Sequence, residues 1–229
     1  MVILRTFWHL RHRRQNSAPG GRFLFVVLAL SVVSLAPGVL VSANASATDA
    51  MAEAKATVDQ VLQILKNPEY KSAPAQLRQK LRSVIGGHFD FTDMSRSALG
   101  IHWESLSEQQ RNEFVPIFTS LLESAYMSRI ENYSGQQIQF VREISDGPGY
   151  AEVYTNIVQN GAQPIGVNYR LKQSDGGWKV YDVLVDGISL VQNYRAQFNR
   201  VINSSGYDSL VELIKMKVNQ ADSAAGGSS

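Results

Sequence analysis

Between Gln137 and Val185 the chain changes its hydrophobic period from about 3.6 residues to 2. The runs "QIQFVREI" (137–144), "YAEVYTNIVQ" (150–159) and "PIGVNYRLKQ" (164–173) alternate apolar and polar residues. A fourth run, "GGWKVYDVLV" (176–185), is apolar on both faces, with Trp178, Val180 and Leu184 pointing one way and Tyr181, Val183 and Val185 the other. The turn-rich segments "DGPG", "NGAQ" and "SDGG" separate the four. This pattern predicts an antiparallel meander of four strands. Every helix must then find its place around that sheet.

Helical spacing flanks the strands. Val58, Val61, Leu62 and Leu65 predict a helix over about 50–66, which "NPEYKSAP" interrupts. Pro74 opens a second helix aligning Leu77, Leu81, Val84 and Ile85, and Gly86-Gly87 should stop it. Thr92 or Asp93 is placed to cap a short helix ending at Gly100. Ser107 and Gln110 form a capping box that starts a long helix to about Asn132, with a kink expected at Pro116. Its apolar stripe is Phe114, Phe118, Leu121, Leu122, Ala125 and Ile130. After Asp186-Gly187, with Asp186 as the expected cap, come helices over about 188–203 and 207–218. The fold class that follows is α+β: a curved, mainly antiparallel four-stranded sheet wrapped around the long helix as a cone. A cone can be solid or hollow, and that choice bears on function.

Hydrophobic residues make up 44% of the chain and charged residues 18%, a balance that supports a folded core. Cysteine is absent, which excludes disulfides, thiolate catalysis, cysteine-ligated zinc and a lipid-modified cysteine. The net charge of +2 comes from the first 45 residues, which hold Arg5, Arg11, Arg13, Arg14 and Arg22 and no acid. Without those five, 17 basic residues face 20 acidic ones, a net of −3, and the electrostatic footprint of a nucleic-acid binder is missing. The same leader has a basic start, the apolar run "FLFVVLALSVVSLAPGVLV" (23–41) and the small residues "SANASA". It reads as a secretory signal cleaved near Ala45 or Ala47. The domain reading is a signal peptide at 1–45, one domain at 46–220 and a flexible tail at 221–229.

Catalytic and metal patterns are sparse. The region after the leader has two histidines, His88 and His102, without metal spacing. It has no Gly-x-Ser-x-Gly elbow and no phosphate loop. Asp182 and Asp186 would stand about 13 Å apart on a strand, too far for a carboxylate dyad. Asp182 interrupts an apolar strand. Its ordinary reading is a hydrogen bond to a loop amide or a pairing with an arginine such as Arg96 or Arg195. What stands out is apolar surface in excess, which suits a packed core or a dry cavity equally.

One stretch bears on that choice. "GGWKVYDVLVDGISLVQNYRAQF" (176–198) resembles the signature of the MlaC-type periplasmic phospholipid-binding proteins, the toluene-tolerance family of auxiliary ABC-transport components. "FDFTDMSRSALGIHW" (89–103), the "Q...F...F..LL...Y" pattern from Gln110 to Tyr126, "AEVYTNI" (151–157) and "IGVNYRL" (165–171) agree in order. The resemblance covers about residues 50–218. It implies a deep apolar cavity for acyl chains and a periplasmic shuttle of glycerophospholipid. The shuttle would run between an outer-membrane lipoprotein–porin complex and an inner-membrane ABC transporter, and it would keep the outer membrane asymmetric. It further implies a monomer with no catalytic residues, no metal and no cofactor other than phospholipid as cargo.

The physical demand on such a protein is large. A sixteen-carbon chain carries on the order of 12 kcal/mol of hydrophobic free energy, and the carrier must return nearly all of it. Apolar side chains must therefore line a cavity without filling it. The candidates from the sheet are Val153, Ile157, Ile165, Val167, Tyr169, Val183, Val185 and Ile188. From the long helix come Phe118, Leu122 and Tyr126. Ile188, after the Gly187 turn, marks the expected mouth. Two other readings compete: an isomerase or dehydratase on a similar cone, with Asp182 as base and Tyr169 or Tyr181 as donor, and a filled-core envelope scaffold.

Overall fold

The computed structural model describes residues 48–159 and 161–226. The leader and the cleavage positions near Ala45 and Ala47 lie outside the described residues. Helix α1 (Thr48–Lys66) is followed by a 3-10 turn (Pro68–Ser72) and by α2 (Pro74–His88), with Pro74 in the first turn. Helix α2 runs through Gly86-Gly87 instead of stopping there. Neither glycine takes the left-handed conformation, and Phe89 N–H still closes the ladder on Ile85 O at 3.0 Å. The helix ends where Phe89 turns extended and bridges Val180.

Asp90, not Thr92 or Asp93, caps α3 (Phe91–Leu99), accepting from Asp93 N–H at 2.8 Å. A 3-10 turn (Gly100–Ser105) leads to α4 (Glu108–Glu131), opened by the Ser107–Gln110 capping box. Helix α4 continues through Pro116 without interruption.

Strands β1 (Gln137–Ser145), β2 (Tyr150–Val158), β3 (Ile165–Ser174) and β4 (Gly177–Val185) form the expected meander. The sheet has five strands, because Ile188–Ser189 (β5) folds back on the end of β4. The reason is the Asp186-Gly187 pair. Its φ angles of 48° and 80° suit a two-residue hairpin whose twist matches the strands. Asp186 is therefore not a helix cap; its Oδ1 accepts from Gly166 N–H at 3.0 Å, and its own N–H donates to Gly166 O at 2.8 Å. Ser189 caps α5 (Leu190–Ser205), and α6 (Tyr207–Gly226) continues well past the 218 suggested by its apolar spacing.

The sheet is curved and unclosed. Bulges at Val141 in β1 and Tyr181 in β4 shift the register and bend their strands. The structure corrects the expected centre of the fold. Helix α1, not α4, packs on the sheet, through Ala50 and Ala54 against Ala151, Val153, Leu171, Trp178 and Val180. Helix α4 instead joins α3, α5 and α6 in a separate helical core. Rings fill that core: Phe118 lies 5.2 Å from Tyr194 and 5.5 Å from Phe198, edge to face. Phe89 touches both apolar clusters.

Candidate functional site

Strand register decides which side chains share a face. Val153 pairs with Tyr169, Thr155 with Val167 and Ile157 with Ile165. Tyr169 pairs with Val183, Val167 with Val185, and Val185 with Ile188. Directly paired residues project to the same side. All eight sheet candidates, Val153, Ile157, Ile165, Val167, Tyr169, Val183, Val185 and Ile188, therefore lie on one face. The Tyr181 bulge adds Trp178 and Val180 to it, because Leu171 pairs with Val180 while Arg170 pairs with Asp182. Alternation alone had put Trp178 and Val180 opposite Val183 and Val185. One inserted residue reverses that assignment, and no side-chain pattern marks it.

This face grades from closed to open. At one end Ala151, Leu171, Trp178 and Val180 are buried under α1. Val153, Thr155 and Val167 are buried in the middle. At the other end Ile157 and Val185 are half-buried, while Ile165 is 43% and Ile188 39% exposed. At the closed end α1, Phe89 and the sheet leave a narrow, partly open cleft of about 20 Å³. Ala54, Val58, Phe89, Leu171, Trp178 and Val180 supply its apolar wall, and Glu53, Thr57 and His88 also line it. Nδ1 of His88 lies 2.9 Å from Oε1 of Glu53.

Tyr169 brings a hydroxyl to this face. It is paired with Thr155, whose Oγ1 in turn donates to Val167 O at 2.5 Å. Burial pushes the Tyr169 hydroxyl up to about 12, with Thr155 working the other way. Both hydroxyls are thus satisfied within the protein, and the face stays effectively apolar.

Phe118, Leu122 and Tyr126 belong to the helical core, not to the sheet face. Phe118 is fully buried. Tyr126 is half-buried and bonded to Tyr194, with the Arg129 guanidinium 5.5 Å from its ring centre. Burial raises the Tyr126 hydroxyl, although Arg129 and Tyr194 oppose the shift.

Asp182 is on the opposite face of the sheet from Tyr169. It is 1% exposed. Oδ1 accepts from Val183 N–H at 2.9 Å and Val191 N–H at 3.2 Å, and Oδ2 accepts from Ser189 Oγ at 2.6 Å. Arg170 approaches Oδ2 at 3.5 Å. The expected arginine partner exists, but it is Arg170 rather than Arg96 or Arg195. With this many donors on its carboxylate and Tyr169 across the sheet, Asp182 holds β4, β5 and the first turn of α5 together; it is not arranged as a base beside Tyr169.

The cleft walls Ala54, Val58, Phe89, Leu171, Trp178 and Val180 were not among the lipid-lining candidates drawn from sequence, although Val58, Trp178 and Val180 stood out there as apolar. The small residues Ala50 and Ala54, one helical turn apart, were the available sign that α1 lies close on a sheet. Among the described residues no group of histidines and carboxylates could hold a metal ion, and no helix is long and apolar enough to cross a membrane.

The family model described as MlaC protein matches residues 55–216. The chain belongs to the MlaC family. It is 29% identical over 154 residues to the intermembrane phospholipid transport system binding protein MlaC of Haemophilus influenzae, covering 66% of this chain and 72% of that protein. It is 26% identical over 141 residues to toluene tolerance protein ttg2D of Pseudomonas putida, covering 61% of this chain and 66% of that one. Among solved structures, the phospholipid-binding protein from Ralstonia solanacearum in complex with a phospholipid matches with a TM-score of 0.69 and 28% identity. That match covers 76% of this chain and 99% of the Ralstonia chain.

Proposed function

We propose that this MlaC-family chain is a periplasmic, non-enzymatic carrier that holds glycerophospholipid acyl chains against the apolar face of its sheet. After removal of the leader near Ala45 or Ala47, it shuttles lipid between an outer-membrane lipoprotein–porin complex and an inner-membrane ABC transporter. This traffic maintains the lipid asymmetry of the outer membrane. The energy for direction comes from the partner complexes, because the carrier itself works by partition.

The observation that carries the reading is the graded apolar face. From Leu171 to Ile165 it extends about 20 Å, at the usual strand rise. One leaflet of a bilayer is about 15 Å of hydrocarbon. The face is therefore long enough to receive an acyl chain end to end, with Ile165 and Ile188 at the entrance. The helical core by contrast is closed with rings in edge contact, whereas the sheet face opens toward Ile165 and Ile188. The Haemophilus and Ralstonia relatives, named for phospholipid transport and phospholipid binding, support the same reading.

The test is lipid transfer between two vesicle populations separated by a membrane that passes protein only. The exported chain should move labelled phosphatidylethanolamine from donor to acceptor. Ile188→Glu should lose most of that transfer while its melting temperature stays within a few degrees of wild type, because Ile188 is already partly in water. Transfer by the variant at the wild-type rate contradicts the placement of the mouth, and no transfer by the wild type contradicts the carrier.

A further inference from the structure

We propose that α1 and α2 form a hinged lid over the closed end of the apolar face, pivoting at Gly86-Gly87 and latched by Glu53 and His88. Its purpose rests on the carrier reading, but the motion itself does not. The first support is a pair of glycines that the fold does not require. Both are exposed in the last turn of α2, neither has a positive φ, and a Cβ at either would meet nothing within 4 Å. Alanine would be favoured at each by roughly fivefold in a helix. What two glycines supply here is freedom of the backbone.

The second support is what lies on each side of them. Beyond Gly87 the chain is fixed to the sheet: Asp90 N–H donates to Val180 O at 2.8 Å, Phe89 bridges Val180, and Lys179 Nζ bonds the Gly87 carbonyl. Before Gly86 the chain is the α1–α2 hairpin, which meets the sheet through small residues of α1, while Leu81 of α2 is fully buried. Ala50 and Ala54 are the apolar residues that α1 buries fully there, whereas Val58, Val61, Leu62 and Leu65 are half-buried. What lifting α1 uncovers is chiefly Ala151, Leu171, Trp178 and Val180 of the sheet, the apolar surface that an acyl chain would cover in its place.

The polar ties of the hairpin lie where water reaches them. Met51 N–H donates to Glu143 at 2.8 Å, Arg78 pairs with Glu131 at 2.6 Å, and Arg82 pairs with Glu123 at 2.8 Å. The Arg82–Glu123 pair, with its arginine 52% exposed, holds weakly, whereas Arg78 grips Glu131 with two bonds and marks the tie that opening must break or carry along. The Glu53–His88 contact joins α1 to the residue just past the hinge, beside the cleft that both line. Closed, the lid leaves a cavity of only about 20 Å³, room for little more than one water molecule. A two-chain lipid needs it raised.

Hydrogen–deuterium exchange of the full exported chain stripped of lipid reads the hinge directly. Amides of α1 and α2 should exchange together and faster than those of α4. In the double variant Gly86→Ala, Gly87→Ala the melting temperature should rise and that exchange should slow by roughly tenfold. Release of bound lipid to phosphatidylethanolamine–phosphatidylglycerol vesicles should slow in parallel. A variant that melts higher while α1 and α2 keep the wild-type exchange rate overturns the lid. Glu53→Gln leaves the hinge intact and should speed α1 exchange several-fold; an unchanged rate there overturns the latch. If the wild type takes up no lipid yet the exchange behaves as stated, the lid stands and the carrier reading falls.

Discussion

Asp182 shows how one buried carboxylate organises a junction. Two backbone amides, a serine hydroxyl and an arginine converge on it from four elements, β3, β4, β5 and α5. Ser189 serves twice, donating to Asp182 and accepting from Gln192 N–H at 3.1 Å as the α5 cap. Asp182→Ala removes the acceptor and leaves these donors buried. It should cost about 3 kcal/mol, read as a lowered urea midpoint. A loss below about 1 kcal/mol would mean that water replaces the carboxylate and that the junction is looser than described. In the sequence, the interruption of an apolar strand by Asp182 was legible as a buried, partnered acid. Its partner was not, because Arg170 faces it only through a bulge that adds Tyr181 without any compositional mark.

At the level of elements, α3 is pinned to β3 by Lys172, which bonds Asp90 at 2.8 Å and also bonds Asp93. Burial opposes the charge on Asp90, but hydrogen bonds from Lys172 and from the amides of Asp93 and Thr92 outweigh it and hold the carboxyl below its ordinary 3.8. Glu152 behaves alike: burial raises it, while Arg170, Asn168 and Tyr154 bring it below 4.5. For Lys172 burial lowers and the two aspartates raise, leaving it above 10.5.

The signs follow. Both carboxylates bind protons less readily in the folded chain, so their stabilisation is complete above 4.5 and is lost as pH falls through the lowered folded values. The contribution of Lys172 is full below 10.5 and is lost as pH rises past its folded value. Lys172→Met should therefore flatten the acid loss of stability, measured as urea midpoints between about pH 6 and pH 2. An equally steep acid loss in the variant would place that pH dependence elsewhere.

The elements themselves were readable to different degrees. The meander followed from alternation and turn residues, and the α4 start from its capping box. The fifth strand was hidden because two residues have no period. The end of α2 was misplaced because Gly-Gly signals a stop only when one glycine takes a positive φ, and here neither does.

Across the whole molecule, two apolar regions do different work. The helical core is closed around Phe114, Phe118, Tyr194 and Phe198. The sheet face runs from burial under α1 to partial exposure at Ile165 and Ile188. Apolar content predicts both alike, since hydrophobic spacing identifies a buried face but not whether its partner is protein or cargo. This is why the eight sheet candidates gather on one face while Phe118 and Leu122, with the same apolar character, pack the other core. The α+β class was legible; that α1 rather than α4 lies on the sheet was not, because α1 packs there through alanines, which contribute little to an apolar stripe.

The most direct test of the carrier account is native mass spectrometry of the exported chain purified from its cells, followed by organic extraction. The account predicts a bound mass equal to one two-chain phospholipid, released intact on extraction. Protein at its bare mass, unchanged after incubation with phospholipid vesicles, would contradict it.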